Sequence, residues 1–593
     1  MRLGVLGGCR RAGRSRLHEQ RRGYRCRGST VRSRILRVTR SPRATGWAGR
    51  WTSSRSSPRS SRTSTSTTRT RTTRTTEPGL PGRRGARILP GLLTSLRDTI
   101  QHRLSRERGT LYRDAPFRVA LTYPSPYRVG MSSLGYQVMY RELNGRGDLV
   151  AERAFAPDDF AQARKHRETV LTYESMRPLG DHAVVALSVA YENELGGVIE
   201  TLELGGIPAL REERNPRRHP FVLMGGPLTF SNPTPLAAYA DAVVMGEGEQ
   251  VVHDVMDILT SELDPELRLK KLADHPNVWV PAVHGEALAK IAAADNETKL
   301  PAYAQIMTPD TELSDMFLVE TERGCSRRCQ YCVMRRSTNG GMRLATMESI
   351  IARVPADAKK VGLVGAAVSD HPRIIEIIDA FVDRGMGVGL SSLRPDRMTD
   401  RFVAALKRGG YRTLTTAMDG PSERLRAMLE RHAKIKHIER AAEHARANGM
   451  LTMKLYLMVG LPSETDEDID ECVEFVSGLS KVIPIALGIA PFVSKRNTPL
   501  DGLGFAGIDV VEHRLDRLRR GLKGRAEVRP TSARWAWIEW VLAQGGEKAG
   551  RAVYDATKAG GRFADYQRAF EAAEVVPRRK KLSVLRSEAG AGS

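Results

Sequence analysis

From Phe117 onward, short apolar runs of strand length alternate with stretches of helical periodicity, and they do so in two series. Strands separated by helices pair in parallel and need cover on both faces, so this pattern restricts the chain to α/β folds. The first series has candidate strands at Phe117–Thr122, Ala183–Ser188, Phe221–Met224 and Ala242–Met245. Helical stretches such as Leu134–Leu143 and Gly197–Leu204 lie between them. The strand ends run into turns rich in Gly, Pro or Ser: Tyr123–Pro126, Gly225–Pro227 and Gly246–Glu249. Residues 116–262 therefore read as a Rossmann-like, doubly wound domain, whose ligands bind at the carboxyl ends of its strands. The same glycines would equally serve to shape tight turns.

The second series has candidate strands at Met316–Thr321, Lys360–Gly365, Gly387–Leu393, Tyr411–Met418, Leu451–Val459 and Ile485–Phe492. Ile374–Val382 has helical spacing, Phe402–Leu406 follows Asp400 as a cap, and Thr465–Asp468 resembles a capping box. Six βα units predict a partial (βα)6 barrel over 313–505, with its working face at the C-terminal strand ends. Residues 86–115 read as a helical lead-in, 263–312 as a polar connector and 506–593 as a helical C-terminal region. In that region Trp535, Trp537 and Trp540 do not share one helix face, and some of them are expected to pack it onto the barrel.

The formal charge of +25 would by itself suggest a nucleic-acid partner. Its distribution argues otherwise. The first 90 residues hold 24 Arg, no Lys and only Glu19 and Glu77 as acids, which is +22 and leaves +3 for the remainder. Residues 1–85 have almost nothing to bury and are expected to be disordered. Three readings fit them: a basic tail, an organellar transit peptide, or translation from an upstream start. No window holds 18 apolar residues, so no transmembrane helix is expected.

Six cysteines are too few for a secreted disulfide scaffold of this length. Cys9, Cys26 and Cys472 stand alone, and Cys472 reads as a small packing residue. Cys325, Cys329 and Cys332 form C-x3-C-x2-C directly after the first barrel strand. Three thiolates are one short of a closed zinc site, and no His follows at finger spacing. They suit a [4Fe–4S] cluster with one iron left open. Arg323, Arg327 and Arg328 would add positive charge beside it, and a reducing, cytoplasmic location follows.

This segment resembles the radical S-adenosylmethionine (SAM) superfamily, with Tyr331 in the aromatic position of its cysteine signature. The resemblance runs on along 116–590. Val361–Pro372, with Gly365, sits where that superfamily has its second-strand SAM-binding turn. Leu390–Asp396 matches the third-strand end. Leu457–Thr465, with Gly460 and Glu464, matches the motif bordering adenine, and Pro491–Pro499 matches a sixth-strand segment. With the first domain, the chain resembles the subfamily carrying a B12-binding-like domain in front. The resemblance implies a cluster on the three cysteines that binds SAM and cleaves it reductively. It implies Arg394 at the SAM carboxylate, Ser391 or Ser392 hydrogen-bonded to it, Asp419 at the ribose, and a reductant such as flavodoxin or ferredoxin.

Two departures stand against the pattern. Asp419 replaces the more usual Glu. The loop Tyr123–Gly135 lacks the D-x-H-x-x-G motif that gives cobalt a His, and Asp181-His182 does not supply it. Cobalamin would then bind without His ligation, or the domain serves only as a platform. Glu247 and Glu249 read as acids at a helix start, and the direction of Lys454 is left open. The leading function is a radical SAM enzyme of unknown substrate. Its alternatives are a cobalamin-dependent radical methyltransferase and a cluster-bearing protein that does not cleave SAM. RNA modification is not favoured, because the sequence has no second Cys triad and the core charge is small.

Overall fold

The structure is a computed structural model that describes residues 95–334 and 341–577. The expected disordered tail at 1–85 lies outside the described residues, as does the start of the lead-in. Residues Leu96–Leu104 of that lead-in are helical.

Six strands form the first sheet: β1 Phe117–Pro126, β2 Leu149–Ala156, β3 Val184–Ser188, β4 Phe221–Gly225, β5 Ala242–Val244 and β6 Val278–Trp279. Their order is β2-β1-β3-β4-β5-β6, parallel except for β6, so the order in which strands are added reverses between β1 and β3. β2 has no counterpart among the expected strands, because Glu152 and Arg153 interrupt its apolar run. Both are buried, and both are satisfied. Glu152 accepts from Arg118 at 2.6 Å and from Thr172 at 2.6 Å, and Arg153 pairs with Glu107 at 2.8 Å and Glu174 at 2.6 Å. A buried charge survives when paired and hydrogen-bonded. β6 extends the same sheet from within 263–312, the segment expected as connector.

Nine further strands follow: β7 Met316–Glu320, β8 Glu322–Gly324, β9 Met342–Leu344, β10 Lys360–Val364, β11 Gly387–Leu390, β12 Thr413–Asp419, β13 Thr452–Val459, β14 Ile485–Pro491 and β15 Ala526–Pro530. β7, β10 and β11 pair in parallel, as do β12 to β15. The two groups meet where Val388 donates to the Gly409 carbonyl at 2.9 Å. Val361 is fully buried away from the cavity that Gly362 and Val364 line. Helices cover the outside. Asp400–Arg408 is capped by Thr399 rather than by Asp400, which is its first residue. Asp466–Leu479 starts on the expected capping box of Thr465 and Asp468.

The C-terminal region is mostly helical but also supplies β15, the seventh strand of the barrel. Trp540 buries its ring beside Phe505 and donates to the Leu503 carbonyl at 2.9 Å, which fastens Ala533–Gln544 to the barrel. Trp537 packs on Phe563 and Phe570 within the helical region, and Trp535 stays partly exposed. The same region grips the first domain. Asn232 donates to the carbonyls of Leu542 and Gly545, and the Tyr239 hydroxyl donates to Gly550. Among the described residues no helix is long and apolar enough to cross a membrane.

Glu194, just past β3, is buried beside the point where the strand order reverses. It accepts from the Ala190 N–H at 2.7 Å and from Ser125 at 3.0 Å, yet burial pushes its pKa up to about 7. Between the unfolded value of 4.5 and about 7 the folded state keeps a proton that the unfolded chain releases. Stability from this group therefore falls as pH rises through that window. Glu194→Gln is expected to match the wild type near pH 4.5. It should gain about 1–3 kcal/mol above pH 7, read from denaturant midpoints at the two pH values.

Candidate active site

β8 and β9 pair antiparallel, Glu322 with Leu344 and Gly324 with Met342, and so close the base of the loop that carries the three cysteines. Gly324 has φ +91, a conformation that an L side chain strains, and it turns the chain from β8 into Cys325. Cys325, Cys329 and Cys332 are partly exposed free thiols at the C-terminal end of the barrel. Burial, with Cys329, Glu322 and Asp370 nearby, holds the Cys325 thiol above its ordinary range. Metal ligation is what draws the proton from such a thiol. Among the described residues no three His, Cys, Asp or Glu side chains converge for a single ion.

Tyr331 is buried among Leu425, Leu429, Met458, Leu461 and Phe492, with Cys329 and Cys332 packed against that cluster. Its hydroxyl donates to Asp419 at 2.6 Å. Asp419 ends β12 at a bulge with φ +66 and also pairs with Arg431. The residue expected at a ribose is thus engaged with the cysteine loop, and Gln330 adds a backbone bond to Leu429 at 3.0 Å.

The other expected residues converge on the same rim, mostly holding turns. Ser391 accepts from the Gly365 N–H at 3.1 Å and donates to its carbonyl at 2.8 Å, and Ser392 accepts from the Val368 N–H at 2.8 Å. A Cβ at Gly365 would overlap the Glu322 carboxyl. Arg394 is buried and forked onto Asp396 at 3.1 and 3.0 Å, so its guanidinium is already committed to a carboxylate. Glu464 accepts from Gly460 at 2.8 Å and from Leu461 at 3.2 Å, and Arg514 pairs with it at 2.9 Å. Burial nevertheless pushes Glu464 up to about 7. Gly460 itself takes φ +78.

Two of the three loop arginines are already paired with acids. Arg323 is held by Glu320 at 2.8 Å, Glu247 at 3.0 Å and Glu249 at 2.8 Å. Arg327 pairs with Asp370 at 3.2 Å, and of the three only Arg328 has no ion pair among the described residues. The reading of Glu247 and Glu249 as helix-start acids is therefore replaced. They lie ahead of the helix Val251–Ser261 and join the first domain to the cysteine loop through Arg323, with Arg343 also on Glu247. No sequence signal pairs residues so far apart. Cys472 is fully buried in Asp466–Leu479 and pushed up to about 12 by that burial, a packing residue as expected.

A cavity of about 630 Å³ joins the strand ends of the first domain to the barrel interior. Ser133, Leu187, Gly226 and Gly248 line one end, Gly362, Ser391, Thr415 and Tyr456 the other, and Arg323 lies between. Lys454 points into it, with its ammonium 4.6 Å from the Tyr456 ring centre.

A parallel partial barrel with three thiols at its mouth, set behind a Rossmann-like domain, defines a class of cluster proteins. Residues 319–476 match the family model of the Radical SAM superfamily, and residues 135–281 match that of Radical SAM proteins, N-terminal. The chain belongs to the radical SAM superfamily, whose enzymes use a [4Fe–4S] cluster and SAM and need a reductant. An uncharacterized protein of Methanocaldococcus jannaschii is 27% identical over 393 residues, 65% of this chain and 79% of the relative. A tRNA-2-methylthio-N(6)-dimethylallyladenosine synthase of Halalkalibacterium halodurans is 25% identical over 204 residues, 30% of this chain and 37% of that enzyme. The cobalamin-dependent SAM radical enzyme OxsB, solved with aqua-cobalamin bound, aligns with TM-score 0.41 at 14% identity, over 61% of this chain and 52% of that one. The chain thus spans about half or less of the last two.

Proposed function

We propose that this chain cleaves SAM reductively at a [4Fe–4S] cluster on Cys325, Cys329 and Cys332 and starts radical chemistry on a substrate held in the cavity. The supporting observation is the donor set: three thiols on one loop at the barrel mouth, with no fourth protein thiol on that loop. When bound, the cluster supplies the electron that breaks the sulfonium bond. The chain's own residues orient and enclose. Tyr331 and Asp419 fix the cysteine loop against β12. Ser391 and Ser392 hold the turn after β10, and Glu464 holds the turn after β13. The apolar wall of Leu187, Leu318 and Met334 keeps water from the reacting groups.

The reductant is proposed to be a flavodoxin or ferredoxin, and the setting the reducing cytoplasm. Protein reconstituted without oxygen should hold about four irons and convert SAM to methionine and deoxyadenosine on reduction. Intact SAM beside a full cluster would leave only a cluster-bearing protein.

The cavity that links the two domains favours one second reading, a cobalamin-dependent methyltransferase. No histidine lines it among the described residues, so the cobalt would go without a His ligand. Cobalamin kept through purification supports this reading, and its complete loss with cofactor supplied opposes it.

A further inference from the structure

We propose that the substrate carries a carboxylate and that Lys454 receives it at the floor of the cavity. This rests on the radical SAM reading of the site and names the chemical class that the site takes. The charged side chains lining the cavity are Glu247, Glu249, Glu320, Arg323, Lys454 and Arg529. Arg323 holds all three glutamates, and Arg529 is forked onto Glu527. Lys454 is the one that has no ion pair among the described residues. Its ammonium rests over the Tyr456 ring, 4.6 Å from the centre. A ring face attracts a cation but accepts no conventional hydrogen bond, so the ammonium keeps donors for a ligand.

Strand register sets what surrounds it. Thr415 of β12, Lys454 of β13 and Ala486 of β14 form one row, and Ala417, Tyr456 and Gly488 form the parallel row two residues on. Thr415 lines the cavity beside Lys454 and offers a hydroxyl. Gly488 lets the Tyr456 ring lie against β14, since a Cβ there would come within 2.6 Å of it. Glu527 of β15 continues the row of Lys454, but Arg529 already occupies both of its oxygens. Met316, Leu318 and Leu393 make the nearby wall apolar, and a dry wall strengthens an ion pair.

Depth separates this cation from the cofactor. Lys454 comes five residues before Val459, the last of β13. At about 3.3 Å per residue it lies roughly 16 Å below the rim where the cysteine loop sits. A molecule anchored there extends up the cavity toward the three thiols, as a substrate must. One lysine balances one negative charge, which a carboxylate carries and a phosphate monoester exceeds at neutral pH. Lys454 is thus a specificity-determining residue.

The test is equilibrium dialysis of cluster-reconstituted protein against octanoate, octanamide, octyl phosphate and SAM. Octanamide keeps the chain and removes the charge. Wild type should hold octanoate at least about 10-fold more tightly than octanamide, and more tightly than octyl phosphate. Lys454→Met keeps the apolar stem. It should weaken octanoate by about 10- to 100-fold and leave SAM within about twofold. Lys454→Arg, which keeps the charge, should stay within about fivefold of wild type for octanoate. Tighter octyl phosphate, equal binding of octanoate and octanamide, or octanoate binding indifferent to Lys454→Met overturns the assignment. SAM lost in step with octanoate also overturns it, because the lysine would then serve the cofactor. Intact SAM beside a full, reduced cluster sinks the radical SAM reading, and the substrate assignment with it, whatever octanoate does.

Discussion

Alanine at Cys325, Cys329 or Cys332 will leave a folded protein that cannot hold its cluster. Iron should fall from about four per chain to below about one, and reductive SAM cleavage should fall to background. The fold is expected to survive, because the three thiols are partly exposed and the loop is fastened by other bonds. Those bonds are the β8–β9 pair, the Gln330 N–H to Leu429, and the Tyr331 hydroxyl to Asp419. Cys472→Ala is the internal control. That thiol is buried in a helix, so its loss should cost about 1 kcal/mol of packing and no iron. Iron analysis and circular dichroism on the four variants separate these outcomes. Full iron in any of the three loop variants would contradict the assignment of that thiol.

The second large effect is on stability. Lys495 follows β14 and is fully buried between Glu192 of the first domain, at 2.6 Å, and Glu539 of the helix Ala533–Gln544, at 2.7 Å. Burial works against its charge, but the two glutamates outweigh it and hold the ammonium above its ordinary pKa. This one lysine ties together three parts of the chain. Lys495→Met would leave two buried carboxylates facing each other with no counter-charge. Breaking a buried pair from one side costs about 3–5 kcal/mol.

The loss should depend on pH. Without the lysine, no counter-charge offsets the burial and the neighbouring Glu539 that already raise Glu192, so the folded state binds a proton that the unfolded chain has released. The variant is then most impaired near neutrality and recovers as pH falls toward the ordinary glutamate range. Denaturant midpoints for the two proteins at neutral and at mildly acid pH test this. A deficit that does not shrink on acidification would mean that the lysine contributes packing rather than charge.

Much of this architecture was legible in the sequence because apolar runs report burial. Six barrel strands stand out as runs of apolar or β-branched residues. β2 and β15 escaped the same reading for a common reason. β2 buries Glu152 and Arg153 inside paired networks, and β15 carries Glu527 and Arg529, which pair with each other. Periodicity cannot tell such a strand from a solvated segment, because the partners that satisfy the charges are distant in sequence.

The site divides in the same way. The cysteines were legible because their spacing is local. The structure brings Tyr331, Gly365, Ser391, Ser392, Arg394, Asp419, Gly460 and Glu464 to the barrel rim. The local work of several of them was not legible, since Arg394 is turned onto Asp396, Asp419 onto Tyr331 and Arg431, and Glu464 onto Arg514. Glu322 gave no signal at all. Its buried, unpartnered carboxyl oxygen is revealed only by the fold.

Three thiols at the barrel mouth would leave one iron of a bound cluster open to SAM. The most direct measurement is magnetic resonance of the reduced, reconstituted protein with SAM isotopically labelled at its amino nitrogen. A hyperfine coupling between the cluster and that nitrogen is the predicted result. A fully loaded cluster whose spectrum is the same with and without SAM would contradict it.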